Sequence, residues 1–180
     1  MKKWMFCLLF LSAPMFAGLE LGLQAGAFSP TKGIEDNDNG LVLGVDLWFK
    51  FTFIGAKIEG FYVDSSGRLE DELGDGFGEA NLDISNIFAV DFMYFPVAST
   101  FFLQVGANYT NLDVKDVNRD VIENEWGLDL GLGVSLFDKL MIQGKIMYTP
   151  NAIKDSAVDT ISGLDSSDLT GYMVTVGYHF

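Results

Sequence analysis

The sequence predicts an all-β protein, an eight-stranded antiparallel up-and-down transmembrane β-barrel. Successive segments alternate large apolar residues with glycine and polar residues, which is the period of 2 of a β-strand. The chain is 49% hydrophobic, yet no later stretch has the ~20 uninterrupted apolar residues that a membrane-spanning helix needs. The connections between segments alternate between short and long, as in membrane barrels with short turns on one side and long loops on the other.

The N-terminus has the features of a secretory signal peptide. Lys2 and Lys3 form a positive region, residues 4–16 form an apolar region, and Ala17 precedes the expected cleavage site. We therefore divide the chain into a signal peptide, residues 1–17, and an outer-membrane barrel domain, residues 18–180. Cys7 is the one cysteine and lies in the signal, so we expect no disulfide or thiol chemistry in the exported chain.

Eight strands are predicted, and the sixth has the cleanest alternation. Their expected bounds are residues 19–28, 41–49, 52–63, 81–95, 100–110, 126–136, 140–148 and 171–180. The expected short turns are 50–51, 96–99 and 138–139, and the expected long loops are 30–40, 64–80, 111–124 and 150–168. Leu112 and Val114 prolong the alternation of the fifth strand, so part of the loop region is expected to continue as a sheet above the bilayer.

The two faces of the predicted strands differ in chemistry. The large apolar residues share one face, which we assign to the lipid, while small and charged residues share the other, which we assign to the lumen. Because an eight-stranded lumen is just wide enough for side chains to fill it, we expect a polar network there and treat an ion-conducting path as the alternative. The network comprises Glu20, Asp46, Lys50, Lys57, Glu59, Asp83, Asp91, Asp129 and Lys145, with Gln104, Asn108 and Gln143. Six acids face three bases in it, so we expect some carboxylates to be protonated, near a rim or hydrated.

The aromatic residues sort onto two levels, as expected for girdles at two membrane interfaces. One level, at the turn end, contains Phe49, Phe51, Tyr94, Phe101, Phe137, Tyr178 and Phe180. The other, at the loop end, contains Tyr62, Tyr109, Trp126, Tyr148 and Tyr172.

The last strand has one apolar face, formed by Tyr172, Val174, Val176, Tyr178 and Phe180. With the signal peptide, the eight alternating strands and the ending Gly177-Tyr178-His179-Phe180, the chain resembles the small eight-stranded bacterial outer-membrane proteins: the OmpA transmembrane domain, the OmpX/Ail group and the opacity-type proteins. The resemblance implies a place in the outer membrane among lipids and lipopolysaccharide. It also implies that the five residues of this face are an assembly signal, read by the barrel-assembly machinery.

The sequence favours a non-enzymatic function. The single histidine, His179, falls at the turn end, so the loop end lacks an imidazole base, and we assign no catalytic residue. A lone histidine is not a metal site, and residues 36–40 lack the distal glutamate of a calcium loop, so we assign no metal or cofactor. A net charge of −14 argues against nucleic-acid binding.

The four loops hold most of the acidic residues and only Lys32, Arg68, Lys115, Arg119 and Lys154 as bases. Specific function in such a protein is expected in its loops. The leading hypothesis is a monomeric structural or surface-interaction protein, adhesin-like, whose acidic loops meet an extracellular partner. The alternative is a narrow channel for small solutes or ions through the barrel.

Overall fold

The computed structural model describes residues 18–32, 36–37, 39–69, 80–97, 100–115, 122–137, 139–153 and 167–180. The predicted signal peptide and large parts of the predicted loops lie outside these ranges. The barrel strands are β1 (Gly18–Lys32), β2 (Gly40–Lys50), β3 (Ile54–Leu69), β4 (Ala80–Val97), β5 (Phe101–Lys115), β6 (Trp126–Leu136), β7 (Leu140–Thr149) and β8 (Leu169–His179). A two-residue strand, Asp36–Asn37, pairs with the end of β3.

The eight strands close into a barrel. Each strand pairs antiparallel with the next along the chain, and β1 also pairs with β8 from Gly22↔His179 to Lys32↔Thr170. Within the described residues, closure gives each of the eight barrel strands a neighbour on both sides. This topology confirms the predicted fold class. In the described part of the chain, no helix is both long and apolar enough to cross a membrane.

An apolar belt surrounds the barrel wall. In β6, Leu128, Leu130 and Leu132 are 64%, 61% and 55% exposed, whereas Asp129 between them is 3% exposed. The other strands show the same pattern, in which large apolar side chains face outward and polar side chains face inward. A monomeric soluble protein rarely exposes an apolar surface this continuous, but a bilayer requires one.

Three strands extend beyond their predicted loop-end bounds by four to six residues. Residues 29–32 continue β1, residues 64–69 continue β3 and residues 111–115 continue β5. The predicted loops 30–40, 64–80 and 111–124 are therefore too long. A β-bulge between Tyr62 and Ser65 shifts the register, so the alternation that marks the belt is lost although the strand pairing goes on. The extension of the fifth strand, which Leu112 and Val114 indicated, is confirmed.

The turns at the other end are short. The β2–β3 turn covers residues 51–53, so Thr52 and Phe53 belong to this turn and not to the third strand as predicted. The Phe51 amide donates to the Ile54 carbonyl at 2.8 Å. At the β6–β7 turn the Lys139 amide donates to the Leu136 carbonyl, and Phe137 has a positive φ of 54°.

The core of the protein lies in the lumen and has three layers. A turn-end apolar layer is formed by Trp48, Met93, Phe95, Phe102 and Met141. The polar side chains follow above it. A loop-end apolar layer is formed by Phe28, Val42, Phe61, Val63, Ile84, Ile87, Leu112, Met147, Ala152, Ile153, Leu169 and Met173, with Ile122 packed against it.

Candidate functional site

Two lysines and three carboxylates form a central ion cluster in the lumen. The Lys145 ammonium pairs with Glu59, with Asp91 at 2.7 Å and with Asp129 at 3.5 Å. Lys57 pairs with Glu59 at 2.8 Å and lies 3.9 Å from Asp91. All five side chains are fully buried. Buried ions are tolerated only when they are paired and hydrogen-bonded, and strand alternation places these five on one inward face.

Three glutamines extend the cluster around the barrel wall. Lys57 donates to Gln104 at 2.7 Å and to Gln143 at 2.5 Å. The Gln143 amide donates to Glu59 and to Gln24, each at 2.9 Å, and the Gln24 amide donates to Glu59 at 3.1 Å. These amides join side chains from four strands into one hydrogen-bonded group, which fixes their rotamers.

A second polar group lies nearer the turn end. Lys50 pairs with Glu20 at 2.7 Å. The His179 imidazole faces the lumen and lies between two carboxylates, with Nδ1 3.3 Å from Glu20 and Nε2 3.1 Å from Asp46. Asp46 also accepts hydrogen bonds from the Trp48 indole at 2.8 Å and from Gln24 at 2.7 Å. Gln24 therefore connects this group to the central ion cluster.

Two apolar layers close the lumen on either side of the polar groups, and the sequence reasoning missed them. Trp48 packs edge-on against Phe102, with ring centroids 5.1 Å apart, and Phe95 tilts against both rings. The available signal was the runs in which both faces are apolar, such as Phe101-Phe102-Leu103 and Phe92-Met93-Tyr94-Phe95. At the loop end, Ala152 and Ile153 enter the mouth of the barrel and are buried.

Inward-facing glycines make room for the large side chains. A Cβ at Gly22 would collide with Asp46 and His179, and one at Gly106 would collide with Asp91 and the Val90 carbonyl. A Cβ at Gly133 would strike the Phe102 ring. Each of these glycines lies opposite a residue that fills the lumen.

The remaining predicted site residues fall in several places. The Asp83 side chain lies outside the described part of the chain, although its backbone pairs with Ser66 and Asp113. On β8, Tyr172, Val174, Val176 and Tyr178 face outward in the apolar belt, and Phe180 follows them with its ring against Tyr178. The Phe180 amide donates to the Leu21 carbonyl at 2.9 Å.

The described loop segments fold over the barrel mouth. Ile122 and Ile153 form an isolated bridge, and the Asn124 side chain donates to the Pro150 carbonyl at 2.8 Å. Tyr109 donates to Glu125, and Tyr148 donates to Asp168 at 3.0 Å. Asp64 and Glu123 are exposed at this end.

The sequence matches no protein-family model and no curated protein. The fold has relatives among solved structures. Ail of Yersinia pestis in complex with the heparin analogue sucrose octasulfate aligns with a TM-score of 0.50 at 13% identity, covering 92% of this chain and 100% of that one. Neisserial surface protein A aligns with a TM-score of 0.47 at 9% identity, covering 91% and 97%. At such identities the likeness to Ail is one of fold: this chain has the fold of the small eight-stranded outer-membrane barrels.

Proposed function

We propose that the protein is a non-enzymatic barrel of the bacterial outer membrane with a structural or surface-interaction role. This proposal rests on how the side chains are distributed in the barrel. An apolar belt covers the outside of the wall, and side chains fill the lumen. Such a wall suits an apolar surrounding, a bilayer or a detergent micelle, and not water. A filled lumen leaves the loops as the part of the molecule available to a partner.

The loops are proposed to face the outside of the cell and to bind a basic or cation-bridged partner. Support comes from their acidic composition and from the carboxylates of Asp64, Glu123, Glu125 and Asp168 at the loop end. Charge of this sign disfavours a polyanion such as the sucrose octasulfate bound by Ail. Binding to a basic partner weakens with salt, and cation-bridged binding also weakens with a chelator.

Two alternatives are less well supported. A channel would need a continuous aqueous path, but apolar layers lie on both sides of the polar groups. An enzyme using imidazole would need an accessible histidine, whereas His179 is 1% exposed between two carboxylates.

The topology is tested with epitopes in intact cells. An epitope inserted between residues 74 and 75 should be cleaved by added protease, whereas the same epitope between residues 98 and 99 should be protected until the outer membrane is permeabilised. Cleavage in the reverse pattern would invert the proposed orientation.

The role of the loops is tested with a shortened variant. Leu69 and Ala80 are direct register partners, so an Asn-Gly turn can replace residues 70–79 without changing the hairpin register. Binding of the variant and the wild type to a basic peptide surface is compared with and without Ca²⁺. Equal binding by a correctly folded variant would remove this loop from the proposed function.

A further inference from the structure

A groove of about 560 Å³ opens on the outer wall of the barrel across β1, β2, β3 and β4. Its outward-facing lining residues are Leu23, Leu43, Val45, Gly60, Tyr62, Asn86 and Phe88. Gly60 pairs with Val45 on one side and Phe88 on the other, and Tyr62 pairs with Leu43 and Asn86. The missing side chain of Gly60 therefore creates the depression among its larger neighbours.

Packing within the barrel does not require a glycine at this position. A Cβ at Gly60 would meet only the Phe88 ring, at 3.5 and 3.6 Å, which is ordinary van der Waals contact. The inward glycines differ, because a Cβ at Gly22, Gly106 or Gly133 would collide with a neighbour. The space above Gly60 is thus free for a molecule outside the chain.

The groove lies in the half of the belt next to the loops. Gly60 and Tyr62 are the last two outward positions of β3 before the exposed Asp64. Asn86, which is half-buried and outward-facing, lies at the groove end beside Tyr62. The groove therefore runs from a polar amide at the membrane interface into the apolar belt.

We propose that this groove holds one acyl chain of an outer-leaflet lipid A molecule, with the ester or amide carbonyl of that chain at Asn86. The assignment rests on the proposed outer-membrane orientation, which places lipopolysaccharide at the loop end. The groove is continuous with the lipid-facing belt, and its amphipathic lining matches a chain that has a polar end. Asn86 donates one amide hydrogen to the Ser85 hydroxyl at 3.3 Å, which leaves its second N–H for the acyl carbonyl. A second barrel fits less well, because its apolar belt offers that N–H no acceptor.

Native mass spectrometry of the full barrel in detergent, with lipid A added, tests the proposal. Gly60→Leu fills the groove. Gly144→Leu is the matched control, because Gly144 also faces outward and a Cβ at this position would have no neighbouring atom within 4 Å. The wild type and Gly144→Leu should retain one lipid A. Retention by Gly60→Leu should fall about tenfold, the factor expected when roughly two methylene groups lose their burial.

Three results would overturn the proposal. Equal retention by all three proteins would mean that the groove does not hold lipid. A dimer that Gly60→Leu abolishes would make a second copy the occupant. Preferential retention of phosphatidylethanolamine in a parallel titration would assign the groove to a phospholipid. Heat-dependent migration of every variant in SDS shows separately whether the barrel has folded, so failure of the barrel assignment remains distinguishable from failure of the groove assignment.

Discussion

Lys145 has three carboxylates around its ammonium group inside the barrel, namely Glu59, Asp91 and Asp129. Desolvation of ions is costly, and only their mutual attraction and the glutamine hydrogen bonds offset it. Removing one partner therefore lowers the free energy of unfolding by more than the net contribution of the pair to it, because the other charges stay buried without a partner.

Lys145→Met should lower the free energy of unfolding by about 3–5 kcal/mol, measured by urea titration in phospholipid vesicles. Lys139→Met, at an exposed turn position, should leave it nearly unchanged. Adding Glu59→Gln to Lys145→Met should recover part of the loss, since one stranded charge is removed. An unaffected Lys145→Met variant would show that the cluster is hydrated and its charges screened.

The inward glycines give a second test at the same scale. Gly106→Ala should destabilise the barrel by about 1–3 kcal/mol, the usual cost of overpacking, because its Cβ would meet Asp91 and the Val90 carbonyl. Gly144→Ala is the control, with open space at its Cβ. Similar unfolding free energies for the two variants would mean that the wall adjusts around Asp91.

Among the strands, β8 has two roles. It closes the barrel by pairing with both β1 and β7, and its outward face carries the five residues proposed as the assembly signal. Phe180 makes a backbone hydrogen bond to Leu21 and a ring contact with Tyr178. These two contacts contribute little to the stability of the folded barrel. A large effect of replacing Phe180 on the amount of folded protein would therefore have to arise during assembly.

Phe180→Ser should therefore reduce the amount of folded protein in the outer membrane severalfold, while protein refolded in detergent keeps nearly wild-type stability. The measurement is the heat-modifiable band in SDS gels of membrane fractions. Phe137→Ser, which removes another exposed phenylalanine at the turn end, is the control. Equal amounts of folded protein for the two variants would show that Phe180 is an ordinary aromatic residue of the membrane interface and not part of an assembly signal.

At the scale of the whole molecule, the polar groups lie between two apolar layers within a closed wall. Apolar constrictions exclude water and ions, and the Trp48, Phe95 and Phe102 rings pack against one another at the turn end.

Planar-bilayer recordings of the wild-type barrel should accordingly show no stable open level. A Trp48→Ala/Phe102→Ala variant, which thins the turn-end layer, should still be blocked by the loop-end layer. A steady conductance in the wild type would favour the channel alternative and show that the loop segments leave the mouth open.

The alternation of the strands determined a great deal without any structure. Because side chains of a strand alternate strictly between its faces, the pattern of β6 alone predicts its bounds, its outward leucines and its inward Asp129. The same argument places Lys57, Glu59, Asp91 and Lys145 in the lumen. It fails at 64–69, where a bulge shifts the register and pairing continues in polar sequence.

Only the tertiary structure decided which charges meet and what closes the lumen. Contacts such as Lys145 with Asp91 depend on the stagger of strands 54 residues apart in sequence, and one strand's periodicity carries no information about that stagger. The apolar layers depend on which inward positions of different strands share a level. The groove at Gly60 likewise needs Val45, Phe88 and Tyr62 around it, and only the paired strands bring them together.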